Sequence, residues 1–519
     1  MVDTIILQKT RSVREFCSFY TESEPILEYM VSKLGSLDGE TIFEPCAGDG
    51  AFIEKILERY SSKSLDIVAY DLNALAIKNL EVKFKKDKRI RLKHSDTLFD
   101  SELDDRLKVG ERYSRIIGNP PYGAWQDQEK RSLLKAKYGG YVRETYSLFM
   151  RRCLNMLQSD GRMVFIVPDT FLALHMHEEM RRNILTQFTI EELLLIPSNF
   201  FPGVNFGYAN LCVITIVGRT PISGSATRIV KVNSNVEVLK QLALGDYSLA
   251  ESDIFTPQEA IVRNVGSSFL ISSDLDVTEL INESTLTLGN IADCVTGFYS
   301  GNNGDNIFPI SNSYSSGDSS IDALDVEMHP GKQTDILLGC NTKRYIPIYM
   351  GGKAVINKPI EKCVNWSPED IFKFKTDGKA RFQNSGYYFR EGIGVPMVKS
   401  KILKAFRIDQ QLFDQSVVGI FPFDGRYLNF LLVYLNSDLC SRIINAINHT
   451  ANNSANYVKK IPVPLSEDLI SKADALVDKF DKDGDLQSLL MSVNEMFEDV
   501  GQAFSSAGIY DGSRIPILL

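Results

Sequence analysis

No stretch of this 519-residue sequence approaches the roughly 18 consecutive apolar residues that a membrane-spanning helix needs. The opening residues, MVDTIILQKTRSVREF, lack the apolar core and small-residue cleavage site of a signal peptide. The eight cysteines (Cys17, Cys46, Cys153, Cys212, Cys294, Cys340, Cys363, Cys440) are dispersed, with no Cys-x-x-Cys pair. That spacing suits neither a structural zinc site nor a disulfide framework, so no metal is expected and a reducing cytoplasm is. No internal repeat of fixed period is present. What remains is 44% apolar, 24% charged and 10% aromatic, the composition of a globular chain rather than a disordered or fibrous one. A chain of this length exceeds one ordinary core, and two or three domains are expected.

Charge is unevenly distributed. Residues 1–218 carry 29 Lys and Arg against 30 Asp and Glu, and residues 219–330 carry 5 against 15. Residues 331–464 reverse the sign, with 19 against 10, and residues 465–519 return to 4 against 11. One basic block of net +9 therefore lies between two acidic ones, although the whole chain is −9. A local positive field can bind phosphates on an acidic molecule, and it can equally be a solvated surface.

From about Thr41 to Thr220 short apolar runs alternate with helical periods: TIFEP, LDIVAYD, RIRLKHSD, RIIGNPPYG and GRMVFIVP are strand-like. Helical stretches are expected at Ala51–Tyr60, Ala74–Lys86, Arg143–Leu157 and Glu178–Phe188. Such alternation predicts an α/β fold with a doubly wound, mainly parallel sheet. IEELLLIP and NLCVITIVG are joined only by a loop containing FFPGVNFGYA, which predicts an antiparallel pair at the sheet edge. Past Thr220 strands shorten, turns such as SGNNGDN and MGGK multiply, Ser311–Ser320 is loop-like, and a helical tail covers Ser466–Gln502. The expected division is a catalytic domain over 1–220 and a mixed α+β domain with that tail over 221–519.

Two sites carry chemistry. In Phe43-Glu44-Pro45-Cys46-Ala47-Gly48-Asp49-Gly50 the glycines let backbone pass close to a ligand, and the following helix offers free N–H groups. The next strand ends in Tyr70-Asp71-Leu72, about 20 residues on, where a carboxylate can accept from ribose hydroxyls. The third ends at Ser95-Asp96-Thr97-Leu98-Phe99, a carboxylate and an aromatic suited to an adenine ring. The glycines do not follow the three-Gly dinucleotide pattern, which disfavours NAD. The second site, Ile117-Gly118-Asn119-Pro120-Pro121-Tyr122-Gly123, is a stiff turn whose prolines supply carbonyls without N–H groups. Asn119 and a rigid carbonyl are acceptors for a planar amino group, and Tyr122 is a stacking face. Accepting both N–H bonds of a purine-conjugated amine localises its lone pair, which is transition-state stabilisation by fixed dipoles.

FEPCAGDG, YDL, SDTLF and NPPY, in this order and spacing, resemble the S-adenosylmethionine-dependent N6-adenine DNA methyltransferases of the gamma arrangement, in which a target-recognition domain follows the catalytic motifs. The resemblance spans roughly Phe19 to Gly218 and implies a seven-stranded methyltransferase sheet. It implies that Glu44, Pro45, Ala47 and Gly48 line the cofactor, that Asp71 and Leu72 meet its ribose, and that Asp96, Thr97, Leu98 and Phe99 meet its adenine. Asn119 would touch both cofactor and target. Asn119, Pro120, Pro121 and Tyr122 would be the catalytic turn. Phe19-Tyr20-Thr21 resembles the segment closing over the methionine moiety, with Glu22 where the family has proline, so Tyr20 and Thr21 join the cofactor set. Tyr146-Ser147-Leu148-Phe149 and Gly161–Pro168 resemble later structural motifs. Phe201, in Phe200-Phe201-Pro202-Gly203-Val204, is assigned with Tyr122 to stack on the flipped base.

The second half bears on the substrate. Its basic block interleaves Lys343, Arg344, Arg381, Arg390, Lys399 and Lys401 with aromatics such as Tyr349, Phe382 and Phe406. Lys and Arg neutralise phosphates, and Arg and Asn read base edges. Tyr387–Phe389 reads better as a buried strand. The run from LNFLLVYL to IPVP, an apolar helix, a polar His449–Asn456 loop and a strand, resembles the recognition domain of restriction-paired adenine methyltransferases. Asn452 and Asn453 are candidate DNA contacts there; an exposed turn is an equal alternative. The resemblance implies duplex DNA as substrate, a bacterial or archaeal setting, and cognate restriction or defence-system subunits as partners. An rRNA amino-methyltransferase and a subunit active only with a partner are the alternatives. A nuclease reading of Asp71 with Glu81-Val82-Lys83 fails, since Glu81 and Lys83 lie two apart on a predicted helix and face different ways.

Overall fold

The computed structural model describes residues 23–61, 63–122, 128–139, 144–197, 200, 210–270, 274–311, 320–328, 337–340, 342–352, 355–448 and 452–498. The chain divides into two compact units, Met1–Phe269 and Leu270–Leu519.

The first unit runs α1 (Glu24–Ser32), β1 (Glu40–Glu44), α2 (Ala51–Arg59), β2 (Leu65–Asp71), α3 (Ala74–Lys83), β3 (Ile90–His94), α4 (Ser101–Lys108) and β4 (Tyr113–Gly118). It continues with α5 (Gln128–Tyr138), α6 (Thr145–Met156), β5 (Leu157–Pro168), α7 (Glu178–Gln187), β6 (Thr189–Ile196) and β7 (Leu211–Val217). Last come β8 (Ala226–Lys231), α8 (Val236–Ala243), β9 (Ser252–Pro257) and α9 (Gln258–Arg263). The strands form one sheet in the order β3-β2-β1-β4-β5-β7-β6-β8-β9. From β3 to β5 neighbours are parallel, and β7 enters antiparallel between β5 and β6. Chain order reverses between β1 and β4, and that switch point is where an open α/β sheet leaves a crevice for ligands.

Local sequence explains these elements. Every residue of β7, LCVITIV, is buried, as a strand flanked by two others in a covered sheet demands. Gly50 ends the β1 loop at φ +81°, a backbone conformation that favours glycine. Asn73 caps α3 by accepting from the Leu75 and Ala76 N–H groups, and Asp100 caps α4 by accepting from Leu103 N–H.

The seven expected strands are joined by two more. β6 and β7 are the expected antiparallel pair, but not an edge: β8 adds parallel to β6 and β9 antiparallel to β8. The boundary expected at 220 accordingly moves to 269/270. Buried polar groups explain the shift. The Gln258 amide donates to the Leu185 and Phe188 carbonyls and accepts from Ile190 N–H. The wholly buried Arg181 guanidinium donates to the carbonyls of Phe171, Leu174, Gly266 and Ser267.

The second unit is mixed α+β. Its strands are β10 (Ala292–Thr296), β11 (Ile307–Ser311), β12 (Ile321–Asp322), β13 (Tyr345–Tyr349), β14 (Lys362–Asn365), β15 (Gly392–Pro396), β16 (Phe406–Ile408), β17 (Leu412–Phe413) and β18 (Val417–Pro422). They form a four-stranded sheet, β10-β18-β15-β16, and a five-stranded sheet, β12-β11-β14-β13-β17. Phe298, Trp366 and Phe374 centre an aromatic core, with Phe298 and Trp366 edge to face at 5.1 Å. The apolar run after Tyr427 is two buried helices, Tyr427–Leu435 and Asp438–Ile447, bent by 73°. Asn436 makes the corner: its amide pairs with both backbone groups of Ala405. The tail likewise breaks into Glu467–Asp483 and Leu486–Met496 around Gly484, which holds φ +69°. No helix among the described residues is long and apolar enough to cross a membrane.

Candidate active site at the carboxyl ends of the strands

The ends of β1, β2, β3 and β4 are laced together by hydrogen bonds between motifs distant in sequence. The Asp71 carboxylate accepts from Gly48 N–H at 2.8 Å and Asn73 N–H at 2.7 Å. Burial nevertheless pushes its pKa up, the two N–H groups opposing. Ala47 N–H donates to the Tyr70 carbonyl, and the Thr97 hydroxyl donates to the Pro45 carbonyl at 2.6 Å. The Asp96 carboxylate accepts from Leu98 N–H at 3.0 Å. Phe99 N–H closes the same turn on the Asp96 carbonyl. Leu72 is exposed and its carbonyl lies 3.0 Å from His94 Nε2.

Glu44 stands out in this lattice. It is 1% exposed, and its Oε2 has no hydrogen-bond partner among the described residues. Burial, then the neighbouring carboxylates of Asp49 and Asp71, raise its pKa well above the ordinary range. An orphaned buried carboxylate in a crevice calls for a cationic or hydrogen-bond-donating ligand.

At β4, Gly118 packs so closely on Phe165 and Pro45 that a Cβ would sit 3.3 Å from each. The Cys46 thiol, its pKa raised chiefly by burial, stays protonated and donates to the Asn119 carbonyl at 3.3 Å. The β1 loop and the Asn119-Pro120-Pro121-Tyr122 turn are therefore joined directly. Tyr122 is buried, edge-on to Tyr146 at 6.4 Å, and its hydroxyl donates to the Ile166 carbonyl at 3.4 Å. Behind it the Tyr146 hydroxyl is 2.8 Å from His177 Nε2, and burial, with Arg181 nearby, lowers the His177 pKa to about 4, so the imidazole is neutral.

Glu44, Pro45, Ala47, Gly48, Asp71, Leu72, Asp96–Phe99 and Asn119–Tyr122 thus belong to one set of strand ends. Tyr20, Thr21 and Phe201 lie outside the described residues. Sequence reasoning missed Cys46 as a brace, His177, and the helix α5, whose Lys130 reaches Asp96; Cys46 was in view inside FEPCAGDG, but a contact with a residue 73 positions away leaves no local signal.

In the second unit the expected DNA contacts fare unevenly. Asn452 and Asn453 are corrected to structural residues, 8% and 2% exposed. Asn452 bridges Val398, and Asn453 N–H donates to the Met397 carbonyl. Asn453 is held at β15's end, its side-chain amide donating to the Pro396 carbonyl. Lys343 donates to the Val326 carbonyl, Arg344 pairs with Asp370, and Lys399 donates to the Asn448 carbonyl. Arg381 and Arg390 are exposed, stacked over Tyr299 and Tyr387, and Lys401 is exposed. Tyr388 and Phe389 are core residues as expected, but they follow a 3-10 turn rather than forming a strand, with Phe389 at φ +60°. Among the described residues no group of three or more His, Cys, Asp or Glu is placed to hold a metal ion.

The switch-point crevice, the acidic strand ends and the rigid Asn-Pro-Pro-Tyr turn define an S-adenosylmethionine-dependent methyltransferase fold, followed by an additional domain. Residues 32–201 match the model of the Eco57I restriction-modification methylase family. The type II methyltransferase M.AccI of Acinetobacter calcoaceticus is 23% identical over 192 residues, covering 35% of this chain and 33% of that protein. The type II methyltransferase M.HincII of Haemophilus influenzae is 24% identical over 223 residues, 39% of this chain and 40% of that protein. The chain thus matches well under half the length of these curated relatives. A solved DrdV–DNA complex is 14% identical with TM-score 0.48, covering 90% of this chain and 57% of that one.

Proposed function

We propose that this chain is a site-specific DNA methyltransferase that modifies N6 of adenine, the modification enzyme of a restriction–modification or related defence system. The observation that carries the reading is the direct brace between the two sites: Cys46, in the loop beside Glu44, donates to the carbonyl of Asn119 in the catalytic turn. Donor and acceptor pockets built on one backbone lattice are what a group transfer in line requires.

Glu44, Gly48, Asp71 and Asp96 fit S-adenosylmethionine, whose sulfonium supplies an already activated methyl group when bound. Glu44 would meet its positive end, since the orphaned carboxylate needs a donor or a cation. Asp71 would exchange part of its N–H bonding for ribose hydroxyls, and Asp96 would accept from the adenine amino group. On the other side, the Asn119 side-chain oxygen and the Pro120 carbonyl would accept both hydrogens of the target amine. That would pull the nitrogen toward tetrahedral geometry and aim its lone pair; the nitrogen would take the methyl group as the methyl–sulfur bond breaks and release one proton to water, with no tuned general base. Tyr122 would stack on the base, its ring plane set by Tyr146. A paired adenine is out of reach in a duplex, so the base must leave the helix. The second unit would grip the duplex, with exposed Arg381, Arg390 and Lys401 on phosphates. Restriction subunits are the natural partners and the prokaryotic cytoplasm the setting.

The test is incubation of the full chain with S-adenosylmethionine and unmethylated duplex DNA, digestion to nucleosides and mass spectrometry, with Asn119→Ala in parallel. N6-methyldeoxyadenosine from the wild type alone supports the proposal. Methylated cytosine, RNA or protein instead overturns it.

A further inference from the structure

The helix α5 is polar in sequence, yet it holds the β3 loop at three separate points. Lys130 Nζ lies 3.2 Å from Asp96 Oδ2, the Tyr138 hydroxyl donates to the Leu98 carbonyl at 2.5 Å, and the Lys137 ammonium stands 5.8 Å from the Phe99 ring centre. Its seat is firm. Leu134 is fully buried, and Lys137 reaches Asp104 of α4, which also pairs with Arg152 of α6. Three of the four residues assigned to adenine, namely Asp96, Leu98 and Phe99, therefore have a partner on α5.

A partly exposed ion pair such as Lys130–Asp96 adds little to folding. Its effect on a ligand can be larger. A carboxylate offers about four acceptor sites, so Asp96 Oδ2 can accept from an ammonium and from an amino group together. We propose that α5 is the adenine-side clamp of the cofactor crevice, with Lys130 a positioning residue that holds Asp96 toward the adenine amino group. This rests on the cofactor reading given above.

The experiment is calorimetric titration of the full chain with S-adenosylhomocysteine, which needs no DNA and no turnover. Lys130→Met weakens binding about five- to tenfold with an unchanged melting temperature, and Lys130→Arg restores it to within about twofold. Asp96→Asn weakens binding at least as much, and the double variant is no weaker than Asp96→Asn alone, because one interaction has been removed twice. The inference is overturned if Lys130→Met binds as the wild type does while Asp96→Asn does not, or if the two losses multiply in the double variant. An Asp96→Asn variant that binds normally also overturns it, by removing Asp96 from the adenine. If the wild type fails to bind, or Asp71→Ala binds equally well, the cofactor reading falls and takes this inference with it.

Discussion

The two units treat their polar residues differently. In the first, the carboxylates and the Asn-Pro-Pro-Tyr turn stand at strand ends, and one of them, Glu44, keeps an oxygen without a hydrogen-bond partner among the described residues. In the second, the basic residues that looked like a nucleic-acid surface are partly consumed by the fold: Lys343 and Lys399 cap carbonyls and Arg344 pairs with Asp370. A strand end in a parallel sheet is a place where topology itself leaves backbone and side chains unengaged. A basic block in short-stranded, turn-rich chain has no such rule, and many of its charges serve turns and caps. Composition is thus a weaker guide to function than position in a sheet.

Five outcomes would break or sharpen that contrast. The largest is at the Asn-Pro-Pro-Tyr turn. Asn119→Ala removes a preorganised acceptor and lowers methyl transfer about 10²–10³-fold with an unchanged melting temperature, read by nucleoside mass spectrometry. Next, Arg181→Met strips the donor from four buried carbonyls and destabilises the protein by at least about 3 kcal/mol in chemical denaturation, with the loss confined to stability. Third, Asp71→Ala weakens S-adenosylhomocysteine binding by roughly tenfold or more, a charged acceptor being lost.

Glu44→Gln separates stability from function within one residue. Its folded-state pKa is raised, so the protonated form favours folding. That contribution is full below the unfolded carboxylate pKa and is lost as pH rises through the folded value. At neutral pH the ligand-free Glu44→Gln protein is therefore more stable than the wild type, while cofactor binding weakens. A melting series from acid to neutral pH should show the two proteins converging at low pH. The smallest effects belong to the second unit. Arg381→Ala or Lys401→Ala weakens DNA binding a few-fold and reduces the salt slope by about one each.

Much of the first unit was legible without coordinates because its signals are local. Runs such as MVFIVP and LCVITIV are apolar enough to be buried strands, and FEPCAGDG, YDL, SDTLF and NPPY each place their chemistry within a few residues of a strand end. The missed helix α5 shows the limit. QEKRSLLKAKY presents mainly Leu134 and Tyr138 to the interior, so it has little apolar stripe to read, and its contacts with Asp96 and Leu98 are long-range. β8 and β9 were placed in the wrong domain for a related reason: strand pairing records no domain membership in the sequence, and the buried Arg181 and Gln258, which tie the segment after β9 back to the first unit, act across 68 to 86 positions.

By itself the sequence determined the α/β architecture of the first unit, the antiparallel turn of β6 and β7, and the motifs at four strand ends. Hydrophobic period and short-range turn chemistry encode all of these within a few residues. Only the tertiary structure decided that two further strands widen the sheet, that Cys46 joins the two sites, that Lys130 stands on Asp96, and that Asn452 and Asn453 face inward. Each of those depends on which backbone groups a folded chain leaves unsatisfied, and that is settled by packing between distant segments.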